Sequence, residues 1–238
     1  MTKQIGKYLF IVVVIVALWN TVIIKPLKLF TVFLHELGHA LMALIFGYGI
    51  KGIKIGFNEG GYVIAASKGW ISSFMIYNGG YLGSLLFSLL ILRLKRTGVK
   101  KYILGTISII FLGVAIRYGG LSFTLVYSMI FAGVTILIYM IQNEKVYDWV
   151  VDIIGISGVA YAIYDIFSDV IFHQLKLSFI LWGKGTAGVS DAAQLAKLTH
   201  IPALLWGIIW ITVSLFAVYA VLIKPGSSGR SKGLKKTK

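Results

Sequence analysis

The stretch 29–47, LFTVFLHELGHALMALIFG, is long and apolar enough for a membrane span, yet it carries His35, Glu36 and His39. Ionisable groups are costly in hydrocarbon, and where a span keeps them they are functional by default. The chain has only four His and three Glu, so the H-E-L-G-H arrangement draws on scarce residues. Whatever this chain folds into must satisfy a polar cluster at membrane depth.

Composition agrees with a membrane setting. Of 238 residues, 58% are hydrophobic and 13% charged, and the mean hydropathy is +0.88. A soluble domain carries about a quarter charged residues. The apolar residues fall into seven blocks, at 8–24, 29–47, 71–92, 102–116, 121–142, 148–175 and 201–223. The first reads as a signal anchor rather than a cleaved leader, because no small-residue cleavage pattern follows it. There are no cysteines, which excludes disulfides and thiolate metal sites. The net charge of +15 does not argue for nucleic acid, because the basic residues lie mostly in short loops and the C-terminal tail.

Of the 23 Lys and Arg, 14 fall on the side that holds the loops 25–28 and 93–101, the loop near 145 and the tail. That side is expected to be cytoplasmic in a cell membrane, with the C-terminus there and the N-terminus, the segment 48–70 and the loop 173–200 opposite. The tail 224–238, KPGSSGRSKGLKKTK, has no apolar periodicity and is expected to be disordered against anionic lipid. Residues 1–223 read as one transmembrane domain.

The segment 48–70 has a different pattern. Ile53, Ile55 and Phe57 alternate, Asn58-Glu59-Gly60-Gly61 follows, and then Tyr62-Val63-Ile64, which predicts a β-hairpin. Its edge, near Gly60 and Gly61, could hold an extended peptide by strand addition. The expected fold is therefore all-α and polytopic, with about seven transmembrane helices and a small hairpin between the second and third.

On a helix His35 and His39 share a face and can point two imidazoles at one ion, for which zinc is the natural partner. Glu36 is turned about 100° from His35, placed to activate a zinc-bound water as general base. A catalytic zinc needs a third protein ligand. The candidates are His173, His200, Asp148, Asp152, Asp165, Asp169 and Asp191. Depth favours Asp165: if the embedded part of the sixth span begins near 155, Asp165 lies about 15 Å deep, level with His39. Asp169 is the alternative ligand, or a group orienting a histidine N–H. In the third span, Gly79 and Gly83 allow close helix approach, and Asn78 could bond a substrate backbone or a developing oxyanion.

HELGHALMALIFG, GGYVIAA, NGGYLGSLL, YAIYDIFSDV, SDAAQLAKLT and IPALLWGIIW together resemble the site-2 protease family of intramembrane zinc metalloproteases, closest to its compact branch without a PDZ domain. The resemblance covers residues 29–95 and 155–215. It implies zinc on His35, His39 and an aspartate from a later helix, Asp165 here, with Glu36 as base and a peptide bond of a membrane protein as substrate. In place of the family's Leu-Asp-Gly segment this chain has Tyr164-Asp165-Ile166. Two other functions compete. Membrane zincins of the heat-shock type use a downstream glutamate, but the only one beyond the hairpin is Glu144, at a span end. A non-catalytic zinc-binding scaffold of the same fold would not need Glu36.

Overall fold

The structure, a computed structural model, describes residues 2–172 and 190–223. Among these residues, eight α-helices and one two-stranded sheet are ordered as α1 (Thr2–Ala17), α2 (Lys25–Phe46), β1 (Ile50–Ile55), β2 (Gly61–Ala65), α3 (Trp70–Leu94), α4 (Ile103–Val114), α5 (Phe123–Met140), α6 (Glu144–Ile166), α7 (Asp191–Thr199) and α8 (Ala203–Val218). Turns of π-helix extend α4, α6 and α8. Among the described residues, six helical segments are long and apolar enough to cross a membrane. The first helix is shorter than its apolar run: it ends at Ala17, and a 3₁₀ turn at Val22–Ile24 leads directly into α2.

The centre of the bundle is α2. Pro26 stands in its first turn, where a missing N–H costs nothing, and the run Leu29–Leu34 is buried on all sides. Against it lies α3, at backbone contact. A Cβ on Gly79 would stand 2.8 Å from the Gly38 carbonyl oxygen, and one on Gly83 2.8 Å from the Gly38 Cα. A Cβ on Gly38 would overlap the Gly79 carbonyl. Without lipid-excluding hydrophobic drive between spans, such close van der Waals contact is what holds membrane helices together. The same device brings α6 onto α3, where Gly155 packs on Leu92 and Gly158 on Ser88.

Around this centre, Phe30 and Phe33 of α2 pack with Phe111 of α4, their ring centroids 5.5 and 3.7 Å from it. Phe131 of α5 closes the cluster. Ser108 Oγ of α4 lies 2.9 Å from Thr135 Oγ1 of α5, a polar contact between the two helices. At one end Asp152 of α6, 1% exposed, takes Lys7 of α1 and Lys95 of α3 on one oxygen, each at 2.6 Å. Asp148 lies within 3.7 Å of Lys100. Both aspartates are thus engaged by lysines.

The hairpin forms where the alternation predicts it, with Ile53 opposite Val63 and Ile55 opposite Gly61. Its position differs from a surface loop. The tip folds back to the start of α2: Lys28 Nζ is 3.2 Å from Glu59 Oε2, and Lys25 Nζ stands 3.5 Å over the Phe57 ring. The hairpin therefore re-enters along α2 rather than lying wholly on the side assigned to 48–70. β1 is the inner strand. Its Ile53 and Ile55 are buried, and the Ile55 N–H donates to Thr124 Oγ1 at 2.9 Å. β2 is the outer strand, with Tyr62 and Ile64 exposed and, among the described residues, no strand on its far edge.

Gly79→Val is expected to cost at least about 1–3 kcal/mol by overpacking the α2–α3 contact, whereas Gly133→Val, at a position with open space around it, is expected to cost far less. Thermal unfolding of the two purified variants in detergent checks this.

Candidate metal centre and its general base

The helical spacing of His35 and His39 brings their Nε2 atoms to 3.0 Å of each other. The Oδ2 of Asp191 completes a triangle, 3.2 Å from His35 Nε2 and 3.1 Å from His39 Nε2. Among the described residues this is the group of His, Asp and Glu side chains close enough to share a metal ion.

The tautomer of His39 is set by its other nitrogen. Nδ1 lies 2.7 Å from the Ile76 carbonyl oxygen, which can only accept, so Nδ1 carries the hydrogen. The neutral ring then presents a bare lone pair at Nε2, the form a metal requires. The triangle thus gathers a carboxylate oxygen and an imidazole lone pair, which repel one another unless a cation lies among them. Donors about 2.0–2.1 Å from a tetrahedral zinc stand roughly 3.3 Å apart, and the three edges here are 3.0–3.2 Å. The donor set fits zinc in both chemistry and size.

Several elements build this geometry. On α3, Gly80 lies against the imidazoles so closely that a Cβ there would overlap Nε2 of both. One residue on, the Tyr81 ring meets His35 edge-on, centroids 4.8 Å apart. α7 carries Asp191 at its first position, after Ser190, whose side chain accepts from the Ala193 N–H. Ala192 and Leu195 bury α7 against Tyr81, Trp206 and Trp210. Trp70 and Trp206 donate their indole N–H groups to the Leu198 carbonyl and to Thr199 Oγ1 at the far end of α7.

Glu36 projects from the same turn of α2 and is 5% exposed. Its carboxylate lies under the hairpin: a Cβ on Gly61 would stand 2.5 Å from Glu36 Oε1. Only glycine at the start of β2 lets the strand approach the carboxylate so closely. Gly60 closes the tip, its carbonyl accepting from the Gly56 N–H at 2.7 Å.

The structure differs from the sequence expectation in the third member of the group. Asp191, not Asp165, joins the two histidines. The depth comparison needed the sixth span to begin near 155, but α6 begins at Glu144. Asp165 is then about 32 Å along its helix, against about 21 Å for His39 along α2. The Asp165 carbonyl accepts from Ser168 Oγ. The side chain of Asp169, all of His173 and the tail 224–238 lie outside the described residues. His200 caps α7 in a left-handed conformation, φ 61°, and Glu144 pairs with Lys100 at 3.3 Å; neither joins the group. Asn78 turns away from the histidines, donating to the Phe74 carbonyl at 2.9 Å and accepting from Trp210 Nε1 at 2.8 Å. The signal for Asp191 was a helix start, Ser190-Asp191, ahead of apolar Ala192, Leu195 and Ala196. That pattern reads as a short amphipathic helix rather than as a span.

Compared with known protein families, the sequence matches the Peptidase M50B-like model over residues 8–221. The chain belongs to this family. No curated protein and no solved structure matches it. The M50B-like match runs from α1 to the end of α8 and takes in His35, Glu36, His39 and Asp191.

Gly80→Ala is expected to weaken zinc affinity at least about tenfold and so lower the zinc bound per chain at limiting zinc, since the methyl group displaces both imidazoles. Gly98→Ala, with open space around it, is expected to leave zinc content unchanged. Metal analysis of purified protein equilibrated with limiting zinc checks both.

Proposed function

We propose that this M50B-like protein is an intramembrane zinc metalloprotease that hydrolyses peptide bonds of membrane-embedded or juxtamembrane substrates. The observation that carries the reading is the buried His35–His39–Asp191 triangle with Glu36 on the next position of the same helix turn. Zinc held by these three side chains would supply Lewis acidity toward the scissile carbonyl and the attacking water.

The chain's own groups do the rest. The Ile76 carbonyl fixes the His39 ring through Nδ1–H and keeps its lone pair directed at the site. Glu36 takes a proton from the water as its oxygen adds to the peptide carbonyl carbon. It returns that proton to the amine nitrogen as the C–N bond breaks. Both Glu36 and β2 lie where a substrate strand is needed. A transmembrane helix must unwind before its carbonyl is accessible, and non-helical backbone at membrane depth needs hydrogen-bond partners. The far edge of β2, the strand whose Gly61 faces Glu36, offers such partners in the manner of strand addition. Gly61 belongs to this surface on our reading, as does Gly60 at the tip. The basic tail is assigned to anionic lipid on the cytoplasmic side, by charge distribution alone.

The test is cleavage of single-span peptides reconstituted with the protein in liposomes. Glu36→Gln is expected to retain zinc and lose turnover by about 10²–10⁴-fold. Gly61→Ala, which pushes on the Glu36 carboxylate, is expected to retain zinc and slow cleavage. A Glu36→Gln variant as active as wild type would contradict the role of the base. A zinc-loaded wild type that cleaves none of the peptides would favour a non-catalytic zinc-binding scaffold.

A further inference from the structure

Asn78 was a candidate for substrate contact, but its side chain is committed elsewhere. Its Oδ1 accepts the indole N–H of Trp210 at 2.8 Å, and its Nδ2 donates to Phe74 one turn earlier on α3. The bond joins α3 to α8 inside a buried cluster. Trp210 is 1% exposed, and its ring lies 4.7 Å from the ring of Tyr81. Tyr81 in turn stands edge-on to His35, at 4.8 Å and 83°. A line of contacts therefore runs from Asn78 through Trp210 and Tyr81 to a ring of the metal centre.

The same short stretch of α3 meets the centre at two further points. Ile76 gives its carbonyl to His39 Nδ1, and Gly80 lies against both Nε2 atoms. Trp210 also shares its cluster with Ala192 and Leu195, the residues that seat α7 and with it Asp191. α7 has nine residues, too short to be stable by itself, so its position follows from the wall it packs on.

We propose that Asn78 and Trp210 form a positioning pair: their hydrogen bond locks α8 to α3 and so holds His35, through Tyr81, and Asp191, through α7, in the arrangement that receives the metal. Neither residue belongs to the His35–His39–Asp191 group itself. A buried indole N–H in a membrane protein needs an acceptor, and placing that acceptor on the helix that orients both histidines makes the packing of α8 directional. Apolar contact alone would allow α8 to rotate and slide. The inference rests on the zinc reading above.

The experiment measures zinc affinity by competition with a chelator, using the full chain in detergent, for wild type, Trp210→Phe, Asn78→Ala and the double variant. Trp210→Phe removes the N–H and keeps an aromatic ring on Tyr81. It is expected to weaken zinc binding about tenfold, the lower end of what partners beyond the ligands contribute, and to alter the visible absorption of the cobalt-substituted protein. Asn78→Ala is expected to weaken binding similarly. The double variant should be no weaker than the weaker single variant, because both remove one bond. Melting of the zinc-free proteins is recorded alongside. Unchanged zinc affinity and cobalt spectrum in Trp210→Phe, with only a lowered melting temperature, would overturn the inference and leave the pair a packing contact. Losses that multiply in the double variant would also overturn it. If Asn78→Ala cannot be purified, Trp210→Phe decides. A wild type that binds no zinc would overturn the metalloprotease reading itself, and this inference with it; unchanged variants beside a zinc-binding wild type overturn the inference alone.

Discussion

The backbone contact between α2 and α3 is the constraint on which the rest depends. Glycines at 38, 79 and 83 bring the backbones of the two helices into direct contact. Only at that separation can the Ile76 carbonyl reach His39, and only glycine at 80 leaves room for two imidazoles beside the α3 backbone. A polar centre is costly in hydrocarbon, and here the cost is offset by surrounding it with backbone groups and aromatic rings rather than with lipid.

Two smaller elements complete the centre from opposite directions. The hairpin re-enters from the end of α2, is tied at its tip to Lys25 and Lys28, and lays Gly61 on Glu36. α7, a helix of nine residues, brings Asp191 to the histidines. His35, Glu36 and His39 all stand on α2, but their surroundings differ: the triangle is packed by α3, α7 and α8, whereas Glu36 lies against β2. This separation allows substitutions at Gly61 and Gly80 to act on different parts of the centre.

Much of this was legible in the sequence, and for physical reasons. HELGH within an apolar run specifies two imidazoles on one helix face whatever surrounds them. Alternation about Asn58-Glu59-Gly60-Gly61 specifies a hairpin, and the small residues at 79 and 83 specify close approach. What the sequence does not carry is the pairing of distant elements. Depth favours Asp165 over the loop candidate Asp191 because hydropathy assigns a depth only to residues within spans. Asp191 comes instead from a short amphipathic helix, whose depth no hydropathy pattern records. The same limit hid the re-entry of the hairpin: Lys28 and Glu59 are both polar residues near turns, and nothing local states that they meet. Asn78 read as a substrate contact because its indole partner is 132 positions away.

The measurement that tests the central claim most directly is zinc content per chain in wild type, Asp191→Ala and Asp165→Ala, purified side by side. About one zinc in wild type and in Asp165→Ala, with loss in Asp191→Ala, is the result expected for a centre completed from α7. Retention in Asp191→Ala with loss in Asp165→Ala would contradict it and return the third ligand to α6.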